Sequence, residues 1–251
     1  MVELLFWPAL LAYGEAAFAY ASSRTSNFAT WGVRIGWLAQ TALLAVQAAH
    51  ADAFPWGSWS GSLNLFVWLV VGAYLIWGCR PRFRLLGLAV MPLAAALFAI
   101  ARLGGGTRAA GHAHYSTLFL VVHVGLVLAA FAGFTLAAAL AGLYLWEESR
   151  LKRRATNILR LPPLASLERL TWRTIAFSLP LLTLGLAAGV VRLREDGGSL
   201  DALEGLTLGT WLLYGAFVVT RPTGRRAAYL ALGGFVLVIV ARLALSAGHF
   251  A

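Results

Sequence analysis

Charge is scarce in this sequence. Asp, Glu, Lys and Arg together make up 12% of its 251 residues, while hydrophobic residues make up 60%. A soluble domain carries about a quarter charged residues. A chain this poor in polar groups cannot cover its own surface with them, which excludes a water-soluble fold and makes lipid its solvent. Cysteine is nearly absent too. Cys79 stands alone, which excludes an internal disulfide, a CxxC redox pair and a thiolate zinc cage. Residues 1–21 lack the basic stretch that opens a cleaved leader, so they read as a retained first helix. No repeat of solenoid length and no low-complexity tract breaks the pattern.

What is present is a succession of apolar runs near the roughly 20 residues needed to cross a bilayer as a helix. Eight are predicted: Val2–Tyr20, Trp31–Ala49, Ser62–Trp77, Leu85–Ile100, Thr117–Trp146, Thr174–Val191, Leu206–Thr220 and Ala227–Ala247. The expected fold is an all-α integral membrane protein, a bundle of about eight transmembrane helices forming one domain over residues 1–251. The fifth run is long enough to project a turn or more into water. The one sizeable connection, residues 147–173, is basic. Pro162–Pro163 should end any helix continuing from the fifth span, and Ser166 is an N-cap candidate for a short interfacial lead into the sixth.

The net charge of +10 does not point to nucleic acid, because the cations sit in short clusters between apolar runs. Of 20 Lys and Arg, 15 fall in or just beside the first, third, fifth and seventh connections, Arg34 being the one a turn inside the second span. The positive-inside rule places those connections in the cytoplasm and both termini on the outer side. The 147–173 loop then serves as a cytoplasmic retention signal that also meets lipid headgroups.

That orientation puts all five histidines on the outer side. His50 closes the second span, His112 and His114 lie in the next outer loop, His123 sits about two turns inside the fifth span, and His249 follows the eighth. Neutral imidazole is a common axial ligand of haem iron, and two histidines from different helices can clamp a haem between them. His123 and His249 are the candidate pair. Arg102 and Arg242 lie at the same level, where guanidinium is suited to grip a propionate. Each has a plainer reading: His50 as a packing residue, His112 and His114 as solvated loop residues, the two arginines as snorkelling cations. Trp56 and Trp59 serve either the interfacial aromatic belt or a flat platform for a porphyrin. Glu15 is the one acid deep within a span, Glu3 standing at the very start of the first, and it either pairs with a cation or binds a proton.

The order of these residues resembles the cytochrome c assembly proteins of the CcsA/ResC type, including their HemX-like branch. Pro55, Ser62-Leu63 and Phe66-x-Trp68 are similar to the family's outer loop and third span, with Gly61 in place of a usual glutamate. Leu120-x-x-His123-Val124 resembles its histidine-valine signature. Leu161-Pro162-Pro163-Leu164 with Leu167-Glu168 resembles the cytoplasmic loop of the HemX-like branch. Thr210-Trp211-Leu212-Leu213-Tyr214, Arg221 and Gly248-His249 follow in the family's order. The resemblance implies a haem b, bound non-covalently at the outer face by His123 and His249. It implies presentation to apocytochrome c with a ResB/CcsB-type membrane partner, in a bacterial inner (plasma) membrane. Residues 189–205 depart from it, holding no tryptophan and only Asp196 and Asp201 where the assembly members carry a tryptophan-rich segment. That departure suits the HemX-like branch, tied to haem biosynthesis.

Three functions are therefore carried forward. The first is a haem-binding and delivery protein for cytochrome c biogenesis, not itself an enzyme and at most the membrane subunit of a haem-attachment system. His123, His249, Arg102, Arg242, His50, Trp56 and Trp59 form its site. The second is a membrane regulator touching a haem-biosynthesis enzyme through the cytoplasmic loop. The third is a small proton-coupled transporter using Glu15, which the lack of an inverted repeat argues against.

Overall fold

The computed structural model describes residues 2–21, 26–50, 56, 58–78, 86–105, 117–153, 162–196 and 202–242. These form eight α-helices in chain order: α1 Val2–Ala21, α2 Ser26–Ala49, α3 Trp59–Gly78, α4 Leu86–Leu103, α5 Thr117–Lys152, α6 Leu164–Asp196, α7 Ala202–Thr220 and α8 Gly224–Val240. Helix is what the bilayer demands, because it satisfies every backbone donor and acceptor within one segment. Five of the eight are long and apolar enough to cross a membrane, and α1 offers a shorter apolar stretch, Leu4–Tyr20. Pro8, Pro92 and Pro180 lie inside α1, α4 and α6, all on exposed faces. The exposed side chains are themselves apolar: Trp7, Leu11 and Phe18 on α1, Phe177 and Leu184 on α6, Leu212 and Val219 on α7. This is a surface made for hydrocarbon.

The predicted spans match these helices except at their ends. Helix α6 starts at Leu164, ten residues ahead of the expected span, so the predicted interfacial lead is continuous with it. Pro162–Pro163 open this helix, and Ser166 lies inside its first turn, donating its backbone N–H to the Pro163 carbonyl at 2.8 Å. Prolines suit that place because the first amides of a helix have no intrahelical acceptor. Residues 154–161 of the basic loop and 243–247 of the eighth span lie outside the described residues.

The helices divide into two compact units, with the boundary inside α5 between Val124 and Gly125. In the first, α1–α4 pack around neutral polar groups. The Tyr13 hydroxyl donates to Gln40 Oε1 at 2.7 Å, the Gln40 amide donates to Asn64 Oδ1 at 2.9 Å, and the Asn64 amide donates to Gln47 Oε1 at 3.2 Å. Tyr13, Gln40, Gln47 and Asn64 are fully buried, so the chain ties α1, α2 and α3 together away from lipid. Beside it Trp37 stacks on Trp68 at 5.3 Å between centroids, and the Trp68 indole donates to Thr41 Oγ1 at 2.8 Å. Gly36 admits the Tyr13 ring: a Cβ there would stand 2.7 Å from it.

The second unit holds the rest of α5 with α6, α7 and α8, and it packs by small residue against large. Gly133 of α5 meets the Ser178 side chain of α6, and Gly185 receives Val127, where a Cβ would stand 2.6 Å from a valine methyl. Gly234 of α8 makes room for Tyr214 of α7, whose hydroxyl donates to the Ala231 carbonyl at 3.1 Å. Tyr214 also stacks on Phe134, 3.9 Å between centroids. Small residues let membrane helices approach closely where no hydrophobic force drives them together.

Candidate functional site

In the first unit, contacts between helix ends show α1–α4 alternating in direction. Arg102, near the end of α4, holds its guanidinium 5.7 Å from the ring centroid of Phe6, near the start of α1. Ser60, at the start of α3, donates to the Gly104 carbonyl just past α4 at 2.7 Å. Asn64 near the start of α3 bonds Gln47 near the end of α2. His50 follows α2 at this same end, which we call the histidine end.

His50 is exposed, and its Nδ1 lies 2.8 Å from the Val46 carbonyl. A carbonyl only accepts, so Nδ1 carries the proton and, in the neutral ring, Nε2 keeps its lone pair. The residue weighed both as packing and as part of the haem site is thus an oriented imidazole whose Nε2 can accept. Trp56 is half-buried. Trp59 packs on Gly104, where a Cβ would stand 2.7 Å from its six-membered ring. It therefore joins α3 to the end of α4, whatever else its ring does.

His123 lies half-buried in α5 and belongs to the first unit with His50, Trp56, Trp59 and Arg102. Arg242 belongs to the second unit, where it is buried to 6% exposure just past α8. The backbone of Ala241 and Arg242 loosens there into a π-type turn, a feature frequent at functional sites. His249, His112, His114 and Asp201 lie outside the described residues. Among the described residues no three His, Cys, Asp or Glu side chains gather as a metal cluster. Within the first unit, His50 and His123 are imidazoles of the kind haem iron takes, and Arg102 is a cation of the kind its propionates take. Glu15 sits on the exposed side of α1.

The Tyr13–Gln40–Asn64–Gln47 chain was not singled out from sequence. Its signal was there: Gln40 and Gln47 stand seven residues apart on one face of an apolar helix, and polar residues within spans are costly unless partnered. In the second unit, the end of α5 meets the start of α8 through charge. Arg225 Nε lies 2.8 Å from both Glu148 carboxylate oxygens, and Lys152 Nζ lies 2.9 Å from Oε1. The Arg225 hydrogen bond and the Lys152 ammonium hold the Glu148 carboxyl below the usual carboxylate range. Helix α5 is long enough for these groups to stand beyond the hydrocarbon, at about 1.5 Å per residue over a core of roughly 30 Å.

The helices and their lipid-suited surface define a multi-pass helical membrane protein. Within that class, residues 56–248 match the model of the cytochrome c assembly protein family, and the chain belongs to that family. The matched segment takes in Trp56, Trp59, Arg102, His123 and Arg242, with His50 before it and His249 immediately after. Among curated relatives, the cytochrome c biogenesis protein CcsA of Gloeothece citriformis is 28% identical over 85% of this chain and 83% of its own length. That of Microcystis aeruginosa is 26% identical over 96% of this chain and 90% of its own. That of Guillardia theta is 34% identical, over 50% of each. No solved structure matches the chain.

Proposed function

We propose that this protein holds haem near the outer face of a bacterial inner membrane, between His123 and His249, for delivery in cytochrome c biogenesis. Family membership carries the reading, and the residues give it chemistry. Haem is the cargo. His123 and His249 ligate its iron, Arg102 and Arg242 take its propionates, and Trp56 and Trp59 line the approach. His50, with Nε2 free to accept, stands in the same unit as His123. Family membership and the cations clustered in and beside the odd connections support the inner-membrane location, with both termini outward. The whole chain acts as one membrane domain, with apocytochrome c as acceptor and a ResB/CcsB-type protein as partner.

One observation favours a second reading. Residues 189–205 hold no tryptophan, so the flat haem-facing surface of assembly members has no counterpart there. Under that reading the protein is a HemX-type regulator that contacts a haem-biosynthesis enzyme through residues 147–173. Deleting the gene in its host and staining c-type cytochromes for covalent haem separates the two. Loss of holocytochromes, restored by wild type but not by a His123→Ala/His249→Ala variant, is the outcome for delivery. Normal holocytochromes with altered haem precursors would sink delivery and leave the regulator.

A further inference from the structure

The basic end of the second unit holds two kinds of arginine. Arg150 and Arg225 are spoken for, by Glu147 at 3.1 Å and by Glu148 at 2.8 Å. Arg169, Arg173 and Arg221 are all exposed and make no ion pair among the described residues. Arg169 and Arg173 stand four apart on α6, with Trp172 beside them, so the three share one end of one helix face. Arg221 reaches that face from the end of α7, its guanidinium 4.6 Å above the Trp172 ring. It does so from a left-handed backbone, φ 46°, unusual for a residue with a side chain. Its N–H closes α7 on the Phe217 carbonyl at 3.1 Å.

Below these cations the same face turns apolar and stays exposed. Phe177 is 69% and Leu184 58% exposed, with Pro180 between them, in register with Arg173 at helical spacing. The opposite face of α6, carrying Leu167, Thr171, Ile175, Ser178 and Leu182, is buried. A cationic cluster capping an exposed apolar stripe matches a ligand that is anionic at one end and hydrocarbon at the other. Guanidinium grips phosphate oxygens in pairs, and tryptophan settles at the level of headgroups.

We propose that Arg169, Arg173 and Arg221, gathered beside Trp172, bind the phosphate of an anionic phospholipid whose acyl chains lie along Phe177, Pro180 and Leu184. The site needs only the membrane setting and stands apart from the haem reading. The stripe is what separates a lipid from free phosphate as the source of the anion.

The test uses the full chain in mild detergent and native mass spectrometry with added phosphatidylglycerol or phosphatidylcholine. Wild type should retain phosphatidylglycerol at least about tenfold better than phosphatidylcholine. R169Q/R173Q/R221Q should weaken that retention on the order of a hundredfold, given how strongly each basic residue at the surface attracts anionic lipid. An R153Q/R226Q variant, which removes two exposed arginines elsewhere, should stay within about threefold of wild type by the same measure. Should the triple variant fail to fold, R173Q alone carries the test, with a loss of about fivefold expected. Equal retention of both lipids, an unaffected R173Q, or an equal loss in R153Q/R226Q would overturn the site. Displacement of the lipid by millimolar inorganic phosphate would overturn the lipid assignment.

Discussion

The two units solve the problem of polar groups in a membrane in opposite ways. The first takes them inside. Tyr13, Gln40, Asn64 and Gln47 are all neutral, all buried and bonded donor to acceptor across three helices. The second keeps its buried contacts between α7 and α8 largely apolar and, Arg242 apart, gathers its ion pairs at the end of α5, where Glu148 bridges Lys152 and Arg225. Neutral amides can be buried once each partner is satisfied, whereas a charge in hydrocarbon stays costly even when paired. The first unit therefore depends on its hydrogen bonds for specificity. The second depends on the fit of glycine against tyrosine and serine.

The sharpest way to break the contrast is to remove the centre of the amide chain. Gln40→Leu takes the acceptor from the Tyr13 hydroxyl and the Gln40 donor from Asn64 Oδ1, and should cost about 2–4 kcal/mol in detergent unfolding, from roughly 1–3 per group left unsatisfied. Adding Tyr13→Phe should return part of that loss, because one orphan is then gone. A single variant unfolding like wild type would mean the chain is incidental. Next comes Gly234→Ala, which drives a Cβ into Tyr214 and disturbs its bond to the Ala231 carbonyl. Overpacking of this kind typically costs about 1–3 kcal/mol, read as a lower midpoint in the same assay. If Gly205→Ala, at a glycine with open space around it, fell as far, close packing at Gly234 would not be the cause.

The smallest effect belongs to the charged end. The folded protein holds the Glu148 carboxyl down, so the bridge's contribution is complete above the ordinary carboxylate value near 4 and fades as pH falls through the lowered one. The pair is exposed, so the change is small and salt-sensitive. Glu148→Gln should flatten the acid limb of the stability profile, measured at low ionic strength. An unchanged limb would show that other carboxylates set it.

The helices were legible because each is a long apolar run, and the bilayer leaves helix as the only open way to span. Their ends were less so. Hydropathy registers hydrocarbon rather than hydrogen bonds, so α6, which begins at Leu164, was predicted from Thr174, and the turns carrying Arg169 and Trp172 were placed in a separate lead. The amide chain escaped notice for a related reason. A lone Gln40 or Asn64 barely changes the hydropathy of its window, and only the fold brings them within 2.9 Å. His50 showed the converse: its position was plain in the sequence, but the tautomer that frees Nε2 follows from the Val46 carbonyl.

The haem clamp is the claim on which the functional account turns. Wild type and His123→Ala/His249→Ala, purified in mild detergent and supplied with haem, should be compared by reduced-minus-oxidised visible spectra. The account predicts a low-spin, bis-imidazole spectrum in wild type that the double variant loses. A wild type that stays colourless, or a variant with the same spectrum, would contradict it.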